Sequence, residues 1–98
     1  MPRTKETEAA LLKSADTELQ VCLDRITNKK CVAIAAQQAA YFLSATRCEF
    51  TEEADQLRDI GTRLNKPATS ARAYDSILRK LKDQVKAKGE QHLQHFSH

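Results

Sequence analysis

The chain contains no tryptophan, one methionine, two glycines and two prolines among its 98 residues. A sheet built from several hairpins needs more turn-forming residues than this, so a β fold is excluded on punctuation alone. Five aromatic side chains are too few for the stacking platforms of single-strand nucleic-acid binders. The longest uncharged run, residues 31–46, is too short for a membrane span and carries Gln37 and Gln38 in its middle, so no membrane association is expected. Neither a Gly-rich phosphate loop nor an H-E-x-x-H or G-x-S-x-G pattern occurs. No enzyme activity and no cofactor are expected. Cysteines number three, Cys22, Cys31 and Cys48, with no C-x-x-C spacing. The opening "MPRTKETEAALLKSADTE" is charged and lacks the apolar core of an export leader. Reduced thiols that serve packing, in a cytoplasmic protein, are the expectation.

What is present favours helix. Ala, Leu, Glu, Gln, Lys and Arg dominate, and all are good helix formers. Alanine supplies 14 of the 40 hydrophobic residues, so bulky apolar side chains are scarce and helices must approach closely to gain from burial. The net charge of +3 arises from 16 basic and 13 acidic residues, mixed along the chain as on a solvated helical surface.

The apolar spacing predicts an all-α, up-and-down bundle of three to four helices, in one domain over residues 1–89, with dimerisation as a further means of completing it. A first helix runs from Thr4 or Thr7 to about Thr27, with the stripe Leu12, Ala15, Leu19, Cys22, Ile26. "TNKK" at 27–30 reads as a break, because Thr and Asn side chains compete for backbone hydrogen bonds. No Gly or Pro enforces that break, so one continuous rod through residue 48 is the alternative. The second helix holds "CVAIAAQQAAYFLSA", apolar on nearly every side, with Gln37 and Ser44 along a thin polar edge. Its place is the centre of the bundle. A third helix is expected with Thr51 as its cap, and Gly61 as a point of close crossing. A fourth is capped by Thr69 or Ser70, ends near Lys88, and stops at Gly89. Residues 90–98 are expected as a flexible or loosely docked tail.

Function is expected from surfaces. The Ala-rich helix suggests burial against something, so the primary expectation is a non-catalytic protein–protein interaction module: an adaptor, small chaperone or inhibitor. Its partner is another protein or a second copy, as a homodimer. The contact residues are Ala36, Gln37, Gln38, Ala40, Tyr41 and Leu43, facing Tyr74 and Leu78. The two glutamines would hydrogen-bond across that contact and set its register. The alternative is a small nucleic-acid-binding protein, using Arg79, Lys80, Lys82 and Lys86 on the basic last helix. His92, His95 and His98 recur every three residues, a spacing that can suit a metal, but they lie in the tail and no metal site is expected.

Overall fold

The computed structural model describes residues 4–96. It holds four α-helices: α1 (Lys5–Asp24), α2 (Lys29–Ala45), α3 (Thr51–Arg63) and α4 (Asp75–Gln94), with a 3₁₀ turn, Ala71–Tyr74, leading into α4. No strand occurs among the described residues. The small all-α bundle expected from the apolar spacing is the observed fold.

Capping explains why the first two helices are separate. The Thr4 hydroxyl accepts the Thr7 N–H at 3.1 Å and starts α1, with Glu6 and Glu8 in the positive first turn. The Asn28 side chain accepts the Cys31 N–H at 3.1 Å and starts α2. The break at "TNKK" is therefore a hairpin. A straight rod from residue 5 to residue 45 would extend roughly 60 Å, whereas the longest dimension of the molecule is 46 Å.

Helices run up and down, and the α1–α2 hairpin is the spine. α2 packs between α1 and α3, and α4 packs on the other flank of α1. The core is filled by Leu19, Leu43, Leu57, Leu78 and Leu81, all essentially inaccessible to water. Ala35, Ala36, Ala39 and Ala40 are buried between them, and their small side chains let the neighbours of α2 come near.

Three local expectations are corrected. Thr51 does not cap α3: Phe50 occupies the cap position, and the Thr51 hydroxyl turns to the Glu49 carboxylate. Phe50 is buried, and burying a phenyl ring contributes roughly 1.5–3 kcal/mol, more than the ~1 kcal/mol of a side-chain cap. Thr69 and Ser70 do not cap α4 either, because the 3₁₀ turn intervenes and buries Ala71. Gly89 does not stop α4, which continues five residues further, to Gln94. Gly89 is used for contact: a Cβ there would lie 3.2 Å from Leu12 Cδ2.

Gly61 does mark a close crossing. A Cβ on Gly61 would sit 2.7 Å from Gln37 Cγ and Nε2, so the Gln37 side chain occupies the space that glycine leaves. Two opposing effects meet at this position. Gly to Ala in a helix interior gains about 1 kcal/mol, while the new methyl collides with Gln37. Gly61→Ala is therefore expected to stabilise the Gln37→Ala protein by about 1 kcal/mol and to show none of that gain with Gln37 present. Urea unfolding of the four proteins in this cycle measures the coupling.

Candidate functional site

Two places gather side chains that the core does not use. One is the outer face of α2; the other is the end of the bundle where α1 begins and α4 finishes.

The α2 face is defined by helical phase. Val32, Ala36, Ala39 and Leu43 turn inward. Ile34, Gln38 and Tyr41 follow one another along the opposite side, at spacings of four and three. Ile34 is 63% exposed and Tyr41 68%, and only Ile77 on α4 adds a further large exposed hydrophobe among the described residues, at 43%. A shallow groove of about 490 Å³ runs beside this ridge, from Ile34 and Tyr41 past Gln37 to Gly61 and Asn65 of the α3 side. Arg58 of α3 donates to the Ser44 hydroxyl and ties α3 to α2 further along the helix. Every exposed group of α2 after Lys30 is uncharged.

The contact residues expected from the sequence thus divide. Ala36, Ala40, Leu43 and Leu78 lie in the chain's own core, covered by its own helices. Tyr74 is half-buried against that core. Gln37, Gln38 and Tyr41 face solvent, and Ile34, absent from that expectation, stands beside them. Its signal was helical phase: Ile34 is seven residues before Tyr41, on the same side.

At the bundle end, Glu8 is fully buried. Its Oε1 accepts the Arg47 backbone N–H at 2.8 Å and lies 2.8 Å from His92 Nε2. One helical turn before His92, Lys88 Nζ reaches Glu53 at 2.9 Å and stands 5.1 Å above the Phe50 ring, a cation–π placement. Both carboxylates sit on apolar stripes: Glu8 precedes Leu12, Ala15 and Leu19, and Glu53 precedes Leu57, Ile60 and Leu64. A charged residue in phase with a core stripe was the available signal. The expected tail is drawn in at His92, whereas His95 is exposed and His98 lies outside the described residues.

A hollow of about 440 Å³ at this end brings Cys48 near His92 and His95. Burial pushes the Cys48 thiol upward, against the opposing pull of Lys88. An activated nucleophile needs the reverse shift, and His92 spends its Nε2 on Glu8. Among the described residues, no three His, Cys, Asp or Glu side chains are grouped so as to hold a metal ion.

Ion pairs, one within α4 and one to α1, also divide the basic residues of α4. Arg79 pairs with Asp75 at 3.1 Å and Lys82 reaches across to Asp16 of α1 at 3.0 Å. Lys80 and Lys86 are exposed and make no ion pair among the described residues. Half of the expected basic set is thereby neutralised by acids of this chain.

Compared with protein-family models, curated proteins and solved structures, the chain matches none.

Removing one partner from a buried pair leaves the other without compensation, so Glu8→Ala is expected to cost about 3 kcal/mol in urea unfolding. Lys88 is 42% exposed, and Lys88→Ala is expected to cost only about 1 kcal/mol. Cys22 supplies a pH test. Burial, and secondarily Glu18, pushes its thiol from 9.0 up to about 12. The unfolded thiol ionises first as pH rises, so its contribution is whole below pH 9 and lost between 9 and 12. From pH 8 to pH 10 the protein should lose about 1.4 kcal/mol more stability than Cys22→Ala does.

Proposed function

We propose that this chain is a non-catalytic protein–protein interaction module that docks through the outer face of α2. The observation that carries the reading is the joint exposure of Ile34 and Tyr41 on one side of a helix that shows solvent no charge after Lys30. Exposed apolar groups are ordinary when scattered. Here they are in phase, flanked by Gln37 and Gln38, and bordered by a groove that reaches Gly61 and Asn65. That is the pattern of a helix-in-groove contact, in which apolar anchors seven apart supply affinity and amides supply orientation. The strip is one helix wide. An adaptor with a narrow, specific contact suits it better than a chaperone, which needs a broad apolar surface.

The alanine face assigned this role from composition is replaced in the proposal by the opposite side of the same helix. Nucleic-acid binding is supported less well, because Arg79 and Lys82 already have carboxylate partners.

Placing a photo-crosslinking amino acid at position 41, in the cell that makes the protein, tests the docking face. A discrete protein adduct is expected there, lost on Ile34→Lys and absent when the same group is placed at Gln84 on the exposed side of α4. Equal, diffuse labelling at both positions would remove the basis for the reading.

A further inference from the structure

We infer that the occupant of this face is a second copy of the chain, held as an antiparallel α2–α2 pair about a two-fold axis at Gln37 and Gln38. This rests on the reading of α2 as the docking face and names the partner that fits it.

A two-fold contact has to be complementary to itself. Ile34 and Tyr41 are roughly 10 Å apart along the helix, with the glutamines between them. Antiparallel pairing about the glutamines sets Ile34 of each copy against Tyr41 of the other, twice. It also brings Gln38 to Gln38, where an amide can donate and accept at once. Side-chain amides are among the few groups that satisfy their own copies.

Charge points the same way. The chain is 30% charged, and two copies meeting on another helix face would have to desolvate charged side chains. Residues 31–46 let them approach without that cost.

The ends of α2 decide between a copy and an unrelated helix. A helix favours acids in its first turn and bases in its last. α2 has neither: it opens on Lys29 and Lys30, and its last turn carries no base. Lys29 is already employed, donating to the Lys66 carbonyl beyond α3. Lys30 is exposed and makes no ion pair among the described residues. In an antiparallel pair, Lys30 of each copy lies beside the last turn of the other copy's α2, which closes at Ala45. One symmetry operation thus covers the apolar ridge, brings the exposed Gln38 amides together and sets each exposed Lys30 at the negative end of the partner's α2, whose own last turn carries no base and, among the described bases, is reached only by Arg58 at the Ser44 hydroxyl. A foreign amphipathic helix accounts for the ridge alone. With a strip one helix wide, the contact belongs to the small, weak class of interfaces.

Light scattering of the full chain under reductant, at concentrations rising to about 1 mM, reads the association directly. The mass is expected to climb from one chain toward two. Tyr41→Lys and Lys30→Glu should each hold it lower, Tyr41→Lys by at least about tenfold in dissociation constant, with helix content and urea midpoint retained because both side chains are exposed. A short thiol–thiol cross-linker should join Gln38→Cys into dimers well above the level of wild type and of Gln84→Cys. A monomer at every concentration overturns the self-pairing and leaves the docking face to the photo-crosslinking result. A dimer untouched by Tyr41→Lys overturns the self-pairing and the docking face together. A dimer that Tyr41→Lys disrupts but Gln38→Cys fails to join overturns the antiparallel register.

Discussion

Glu8 and Glu53 are core positions by phase and carboxylates by chemistry, and the α4 end of the bundle is arranged around that conflict. Each interrupts an apolar stripe, and each is answered from α4 by a donor one turn from the other, His92 and Lys88. A buried pair of this kind adds little net stability over an apolar pair, because desolvation opposes the attraction. What it supplies is register. Sliding α4 by one residue would leave both carboxylates facing the wrong groups. Glu8 also takes the Arg47 N–H, so the turn out of α2 is tied to the same point.

That constraint explains features that look unrelated. α4 has to pass Gly89 without stopping, because His92 lies beyond it, and the missing side chain at Gly89 lets Leu12 settle against the helix. Phe50 is held as the entry to α3, because its ring lies under Lys88. With α4 fixed on α1 and α3 on the other flank of α2, both sides of the hairpin's inner surface are filled. The outer side of α2 is left to solvent, as is the charged outer side of α1.

The stretch from Cys31 to Ala45 therefore has an ordinary inside and an unusual outside. Its alanines are thin so that α1 and α3 can close on them. Its polar edge is in use: Gln37 lies over Gly61, and Ser44 receives Arg58. What is unusual is the absence of charge on the solvent side, in a chain that is 30% charged. Mixed charge on exposed helix faces keeps small proteins apart, and here that device is missing from one helix alone. This difference is why a protein contact is favoured over a phosphate contact, since the cations of α4 are partly committed to Asp75 and Asp16.

Much of this fold was legible in the order of residues. Apolar spacing and the scarcity of Gly and Pro decided an all-helical bundle and the inward stripes of α1 and α3, and pointed to a break at 27–30 with a continuous rod as the alternative, because these follow from local periodicity and capping. The pairs Asp59–Arg63 and Asp75–Arg79 were legible for the same reason, being four apart on one helix. Phase alone could not say which side of an almost wholly apolar helix is covered: of the expected contact residues on α2, Ala36, Ala40 and Leu43 are buried by the chain's own helices, while Gln37, Gln38 and Tyr41 stay exposed beside Ile34. Nor could it say that His92 meets Glu8 across 84 positions of chain. Local chemistry determined where α1 and α2 begin and what α1 and α3 turn inward. Which carboxylate met which donor, and which face was left over, depended on long-range packing, where the energies belong to pairs of residues that only the folded chain brings together.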